Sequence, residues 1–113
     1  MTQRVRLGIG PGLVLALGIV GPASSETGVT ATIRVFQFQP GTLEVRAGSR
    51  VTWMNEDDIT HTVTSGAPGR PDGRFGIELS GKGTRGSALL SEPGAYPYFC
   101  GRHPSMRGEV LVR

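Results

Sequence analysis

Four side chains in this 113-residue sequence are of types that bind metal ions: the one cysteine, both histidines and a methionine. Cys100, His103 and Met106 form a C-x2-H-x2-M run, and the other histidine, His61, lies well upstream. A thiolate and two imidazoles make a trigonal ligand set, and a thioether at longer range completes the arrangement that suits copper in electron transfer. These four residues therefore predict a site for one copper ion.

The chemistry of copper accounts for each residue type in this set. The soft thiolate and thioether favour Cu(I), whereas the imidazoles suit both oxidation states. A site whose geometry lies between those that Cu(I) and Cu(II) prefer needs little rearrangement when an electron is gained, so electron transfer is fast. The alternative is that the residues are structural, because a lone histidine is more often hydrogen-bonded and a lone methionine more often fills the core, as we expect of Met1 and Met54. We favour the metal site because both histidines and the only cysteine fall into one ligand set.

The first 25 residues have the features of an export signal. Arg4 and Arg6 give a positive start, residues 7–21 form an uncharged run, and small residues follow at 21–25. Cleavage near Ala23 to Ser25 would leave a copper-binding domain of residues 26–113. The alternative, an uncleaved anchor, is disfavoured because the run is shorter than the roughly 20 apolar residues that span a bilayer. We therefore expect a periplasmic or secreted protein without a membrane span after cleavage.

Without residues 1–25, the chain is nearly neutral and has a single cysteine. The whole chain has a formal charge of +3, but loss of Arg4 and Arg6 leaves 10 basic and 9 acidic residues, a charge of +1. Nucleic acid is therefore not an expected partner.

Cys100 cannot form an internal disulfide, so in an oxidising compartment it must be paired between chains, free and reactive, or bound to a ligand. A bound metal would also stabilise a small domain that has no disulfide.

The elements that must position these ligands are predicted to be short strands. The 18 Gly and 8 Pro exclude a helical bundle, the 37% apolar content excludes a disordered chain, and the length excludes a multidomain enzyme. Apolar alternation and frequent turn residues predict an all-β sandwich or barrel of about seven or eight strands. Strands are expected at 30–38 with a bulge, 43–45, 51–53, 61–64, 75–79, 88–90, 96–100 and 110–112, with an irregular loop at 65–73.

Several short motifs occur in a recognisable order along these strands. They are F-x-F-x-P at 36–40, L-x-V-x-x-G at 43–48, V-x-W-x-N-x-D at 51–57, H-T-V at 61–63, P-G-x-Y-x-Y-F-C at 93–100 and G-x-V-x-V at 108–112. Together with the ligand loop they resemble the cupredoxin, or type 1 blue copper, family, and most of all its amicyanin and plastocyanin-like branch. This resemblance implies an eight-stranded Greek-key sandwich. It also implies that one type 1 copper ion is bound by His61, Cys100, His103 and Met106.

Two positions depart from the family pattern. Family members usually carry bulky aromatics on the strand before the E-P-G turn, where this chain has Gly86, Ala88 and Leu90, so a thin core or a short strand is expected there. Family members often carry Asn directly after the first ligand, where this chain has Thr62. The resemblance therefore does not predict the hydrogen bond that ties the two ligand loops together, a contact able to tune the metal.

The ligand set and the resemblance predict an exported electron carrier that cycles between Cu(I) and Cu(II), and not an enzyme. An oxidase or nitrite-reductase-like enzyme would need further copper ions held by additional histidines, and both histidines are already assigned. A hydrolase with Cys100 as nucleophile and His103 as base fits less well, because a tight loop suits convergence on an ion better than a substrate cleft. The remaining alternative is a copper storage or delivery protein, a class that tends to have an open Met-rich or His-rich site.

We expect a monomer whose partners are redox proteins that contact the exposed ring edge of His103. Arg102 and Arg107 flank this histidine, and Arg70 and Arg74 would join them if the 65–73 loop folds over the same end. This charge predicts an acidic partner and electron exchange that slows as salt rises, whereas the alternative is that the arginines are ordinary solvated charges. If docking occurs elsewhere, Phe99, expected on the outward face of its strand, is the next candidate.

Overall fold

The computed structural model describes residues 28–113 of the chain. They form nine strands and no helix: β1 Gly28–Ile33, β2 Phe38–Gln39, β3 Thr42–Val45, β4 Ser49–Asn55, β5 His61–Ala67, β6 Arg70–Leu79, β7 Arg85–Leu90, β8 Gly94–Phe99 and β9 Arg107–Val112. The predicted all-β class is confirmed. Within this described part, no helix has the length and apolarity that crossing a membrane requires. The predicted signal peptide, residues 1–25, lies outside the described residues.

The strands form two sheets with the orders β2-β1-β4-β7 and β3-β9-β8-β5-β6. β1 pairs in parallel with β4, and β3 pairs in parallel with β9, whereas the other neighbours are antiparallel. Neighbouring strands are therefore often distant in sequence, as Greek-key connections require. Inward-facing residues of both sheets share one core, so the fold is the predicted Greek-key sandwich. The two-residue strand β2 brings the count to nine instead of seven or eight.

Aromatic rings occupy the centre of the core. Trp53 is fully buried on β4, where every second residue points inward. Its ring centroid lies 5.3 Å from that of Tyr98 and 5.4 Å from that of Phe75. Phe38 contacts Tyr98 edge-on at 4.8 Å. These rings join the two sheets, because Trp53 and Phe38 belong to one sheet and Tyr98 and Phe75 to the other.

The ring of Tyr98 lies directly on the backbone of β9. Tyr98 pairs with Gly108 across the sheet, and a Cβ placed on Gly108 would be 2.4 Å from a carbon of the tyrosine ring. Only glycine leaves room for this contact. Tyr98 stands two residues before Cys100, so the packing of its ring fixes the strand that leads to the cysteine.

The predicted bulged strand over 30–38 is wrong, because the chain makes a hairpin turn within that segment. β1 ends at Ile33, and Arg34 and Gln37 exchange backbone hydrogen bonds of 2.9 and 3.2 Å. Val35 and Phe36 between them have φ angles of 53° and 59°, the left-handed values of a type I′ turn. The change of phase in the apolar pattern therefore reflects a reversal of the chain and not a bulge.

The irregular loop predicted at 65–73 is also wrong, because this segment is a bulged hairpin of β5 and β6. The strands extend to Ala67 and from Arg70, with a register shift between Thr64 and Gly66. Gly66 has a φ of 112°, and a Cβ there would lie 2.5 Å from the carbonyl oxygen of Arg70. The glycines of this segment thus permit close strand pairing, whereas the same residues in sequence are typical of a loop.

The core beside β7 is filled in spite of the small residues on that strand. Gly86 pairs with Trp53, and a Cβ on Gly86 would lie 2.3 Å from a methyl carbon of Ile77. Ile77 on β6 therefore occupies the space that a larger side chain at 86 would take. β7 itself is six residues long, so the expected thinning of the core or shortening of the strand is not observed.

Candidate metal centre

Two adjacent strands bring the predicted ligands to one end of the sandwich. His61 is the first residue of β5, and Cys100 directly follows the last residue of β8. β5 and β8 are neighbours, with Thr64 opposite Phe99, so the start of one lies beside the end of the other. His103 and Met106 lie in the connection between β8 and β9. The distant histidine thus reaches the ligand loop through sheet pairing.

Backbone hydrogen bonds fold the 100–106 loop into a compact form. The N–H of His103 donates to the carbonyl of Cys100 at 3.2 Å, and the N–H of Met106 donates to that of His103 at 2.8 Å. The N–H of Cys100 donates to the carbonyl of Met106 at 3.1 Å and closes the loop. The three-residue spacing therefore gives two consecutive turns, one from Cys100 to His103 and one from His103 to Met106.

The side-chain atoms of three predicted ligands converge. Nδ1 of His61 lies 3.7 Å from Sγ of Cys100, and Nδ1 of His103 lies 3.8 Å from the same sulfur. The three donor atoms all lie within 4.8 Å of one another. Metal bonds of about 2.0 Å to nitrogen and 2.3 Å to sulfur, at about 120°, would separate the donors by roughly 3.7 Å. The donor types and their separations therefore fit one trigonally held ion.

Burial separates His103 from the other three residues. His61 and Cys100 have no exposed surface, Met106 is buried, and His103 is partly exposed. A fully buried thiol cannot reach another chain, which excludes the disulfide between chains that the sequence left open. The same burial keeps a substrate carbon from Cys100, so the arrangement does not fit the cysteine hydrolase considered above.

Thr62 provides the link between the two ligand segments that the sequence did not predict. Its hydroxyl oxygen accepts a hydrogen bond of 2.7 Å from the N–H of Gly101, and its own N–H donates to Sγ of Cys100 at 3.4 Å. The hydroxyl also lies 3.0 Å from that of Thr64. Threonine thus ties together the two segments that carry the predicted ligands. The signal in the sequence was a short hydrogen-bonding side chain directly after the first ligand.

Asp57 is a residue of the site to which the sequence assigned no chemistry. Its carboxylate lies 2.9 Å from Nε2 of His61 and accepts hydrogen bonds from the N–H groups of Val35 and Phe36 at 2.8 and 3.0 Å. Partial burial alone would raise the pKa of Asp57, but the bonds from Phe36, His61 and Val35 outweigh it and hold the pKa below its usual 3.8. The side chain is therefore a carboxylate at neutral pH.

Asn55 builds the turn that presents Asp57. Its carboxamide oxygen accepts from the N–H of Asp57 at 2.8 Å, and its NH2 group donates to the carbonyls of Ile59 and Leu79 at 2.8 and 3.1 Å. Asn55 is itself fully buried. The irregular segment between β4 and β5, which the sequence predicted, is thus held in one conformation beside His61.

Phe36 lies over both histidine rings. Its centroid is 5.3 Å from that of His61 and 4.9 Å from that of His103, with edge-to-face angles of 88° and 87°. The Phe36 side chain is 47% exposed and Val35 is 71% exposed, whereas Phe99 is only 6% exposed. The apolar surface beside His103 is therefore formed by Val35 and Phe36, and the buried Phe99 does not offer the alternative docking surface that the sequence suggested.

The arginines are distributed over both ends of the molecule. Arg102 lies 3.8 Å from the carboxylate of Glu78 near the ligand loop. Arg74 instead stacks on the Tyr96 ring at 4.4 Å and donates to the carbonyl of Ala95. Because β6 reaches His61 with its last residue, its first residues lie at the far end. Arg70 and Arg74 therefore do not join the charges around His103, contrary to the conditional expectation.

Comparisons with known proteins agree with this geometry. A family model described as copper binding proteins of the plastocyanin/azurin family matches residues 25–113. Amicyanin-alpha of Methylorubrum extorquens is 36% identical over 81 residues, which cover 71% of this chain and 67% of that protein. Plastocyanin of Scenedesmus fuscus is 30% identical over 84 residues, covering 67% of this chain and 86% of that protein.

Solved structures show the same likeness. A purple cupredoxin from Nitrosopumilus maritimus superposes with a TM-score of 0.68 at 29% identity, covering 74% of this chain and 98% of the other. A reduced, Cu(I) form of an amicyanin mutant superposes with a TM-score of 0.63 at 32% identity, covering 76% of this chain and 82% of the other. The similarity thus covers about three quarters of this chain in both structures.

Proposed function

This chain belongs to the plastocyanin/azurin family of copper-binding proteins, and from that membership we propose that it carries single electrons between redox proteins. The family binds one copper ion, and the donor set here is of the type that such an ion requires. Bound copper would supply a one-electron couple between Cu(I) and Cu(II). The observation that carries the proposal is the convergence of His61, Cys100 and His103 within 4.8 Å.

His61, Cys100, His103 and Met106 are the proposed ligands. The first two are buried, and the loop bonds between residues 100 and 106 hold the last three in a fixed relation. Such a frame resists the rearrangement that a change of oxidation state would otherwise cause. The N–H that Thr62 directs at the Cys100 sulfur stabilises a thiolate at that position.

The proposed contact with redox partners lies at His103. This histidine is the partly exposed member of the set, and the exposed side chains of Val35 and Phe36 adjoin it. An apolar surface beside a partly exposed ligand allows a partner to approach closely and to leave quickly. We propose that the partners are proteins of the periplasm or of the exterior, because residues 1–25 have the features of an export signal.

Burial of the proposed ligands favours this function over copper storage or delivery. A delivery protein must release its metal to an acceptor, which favours exposed ligands. Here the thiol and one imidazole have no exposed surface, and the Phe36 ring covers both imidazoles. Retention of copper through repeated oxidation and reduction, in the presence of a Cu(I) chelator, would support electron transfer, whereas rapid loss of Cu(I) would support delivery.

The visible spectrum of the mature domain with Cu(II) tests the proposed site. Charge transfer from the Cys100 thiolate should give intense colour, and Cys100→Ser should abolish it because serine keeps the size but lacks the soft sulfur donor. Met54→Leu, a change on β4 away from the ligand loop, is the matched control and should leave the colour intact. A colourless copper complex of the unmodified protein would refute the proposal.

A further inference from the structure

One carboxylate at the metal end connects a histidine with a distant turn. Oδ2 of Asp57 lies 2.9 Å from Nε2 of His61 and accepts from the N–H of Phe36 at 3.0 Å, while Oδ1 accepts from the N–H of Val35 at 2.8 Å. Asp57 is only 14% exposed, and the buried Asn55 holds its backbone. The sequence separates the turn from Asp57 by 21 and 22 positions, so these bonds join two segments of the fold.

The contact with Asp57 determines which nitrogen of His61 is free. A carboxylate accepts hydrogen bonds, so Nε2 of His61 must carry the proton that lies between them. Nδ1 is then left with its lone pair, and this atom is the one that faces Cys100 at 3.7 Å. A hydrogen bond from Nε2 to a carboxylate also fixes the ring orientation and makes Nδ1 a stronger donor to a metal.

The contact with the turn determines the position of Phe36. Val35 is β-branched and Phe36 is bulky, and both have positive φ angles that such residues rarely adopt. The two N–H groups of this turn point at the one carboxylate, which compensates for the unfavourable backbone. The resulting conformation places the Phe36 ring edge-to-face with both His61 and His103.

We propose that Asp57 is a positioning residue that sets the reduction potential of the copper site, by fixing His61 and by holding the Val35–Phe36 turn over both imidazoles. This inference rests on the proposed copper function. The negative charge and the more basic imidazole favour Cu(II) over Cu(I), so Asp57 lowers the potential. The Asp57 carboxylate thus acts through His61 and does not touch the metal.

The variant Asp57→Asn tests this role at almost unchanged volume. The amide has one acceptor oxygen in place of two, so it cannot satisfy both turn N–H groups and His61 together. Affinity for Cu(II) should fall by about 10- to 100-fold. The potential should rise by about 59 mV for each tenfold loss of Cu(II) affinity relative to Cu(I).

Asp58→Asn is the matched control. Asp58 is the next residue and is exposed, so its substitution removes the same charge from the same segment without breaking the bond between Asp57 and His61. Voltammetry of both variants separates positioning from long-range charge. In the copper-free protein, NMR of the His61 ring nitrogens and of the Val35 and Phe36 amides should show altered tautomer populations and amide shifts in Asp57→Asn alone.

A second background keeps the test decisive if Asp57→Asn folds poorly. Val35→Asn with Phe36→Gly installs the pair that a type I′ turn prefers, so the turn no longer depends on the carboxylate. Asp57→Asn in that background should still raise the potential through His61. Equal potentials for the Asp57 and Asp58 variants, with unchanged NMR signals, would overturn the inference. A colourless Cu(II) complex of the unmodified protein would instead refute the proposed function.

Discussion

At the scale of single residues, Met106 is the proposed ligand whose role is most open to measurement. Its backbone N–H and carbonyl close the ligand loop, and its side chain is buried. The backbone bonds do not depend on the sulfur, so a leucine at this position should leave the loop folded. The thioether can therefore be removed without dismantling the other three ligands.

Met106→Leu is expected to keep the intense colour of the Cu(II) form and to raise the reduction potential. A hydrocarbon replaces a weak donor to Cu(II), so the oxidised form loses more stabilisation than the reduced form does. Voltammetry together with the visible spectrum measures both effects. Met54→Leu on β4 is the control for the same exchange at a partly exposed position, because Met54 does not fill the core as the sequence suggested. Loss of copper from Met106→Leu would show that the methionine holds the loop and does not tune the metal.

The sequence predicted the ligand set at this scale because type and spacing are local properties. C-x2-H-x2-M is read directly, and the loop bonds between residues 100 and 106 follow from that spacing. The roles of Asp57 and Thr62 could not be predicted, because each depends on contact with a segment many positions away. The hydrogen-bonding type of each residue was visible, but not its partner.

At the scale of strands, the alternation of apolar residues predicted several strands of both sheets. β4, β8 and β9 show the expected inward-facing residues, among them Val51, Tyr98 and Val110. The turn at Val35 and Phe36 was missed because both residue types favour strands and the stabilising carboxylate is remote. The β5–β6 hairpin was missed because a run of glycine and proline has the same composition in a loop and in a bulged hairpin.

Gly108→Ala is expected to destabilise the domain by about 1–3 kcal/mol, because a Cβ on β9 would overlap the Tyr98 ring. Tyr98 is 1% exposed and contacts Trp53 and Phe38, so it has little freedom to move. Denaturant unfolding of the copper-free protein measures the effect. Gly76→Ala is the control, since Gly76 lies in β6 with open space around it. Equal stability of the two variants would contradict this account of the core.

At the scale of the whole molecule, the two ends of the sandwich carry comparable ion pairs. Arg102 and Glu78 lie near the ligand loop, and Arg113 and Glu44 pair at the opposite end. All four side chains are more than half exposed, so the pairs are solvent-screened and contribute little to folding. Their charges act instead on the approach of other proteins.

Electron exchange with an acidic partner should slow as salt rises, and Arg102→Glu should slow it further without changing the visible spectrum. The substitution places a second negative charge beside Glu78 and near the proposed contact at His103. Arg113→Glu makes the same change beside Glu44 at the far end and is the matched control. Stopped-flow rates over a salt series measure the effect. Equal rates for both variants would place the docking surface away from His103.

The position of β9 in its sheet links closure of the fold to assembly of the site. β9 is the last strand along the chain, yet it lies between β3 and β8 and pairs with both. Before β9 pairs, β3 lacks its sheet neighbour, β8 pairs with β5 alone, and the hydrogen bond from the N–H of Cys100 to the carbonyl of Met106 has no strand to anchor its acceptor. The loop that carries the proposed ligands is therefore complete only once β9 has paired, and we expect copper to bind after this last step of the fold.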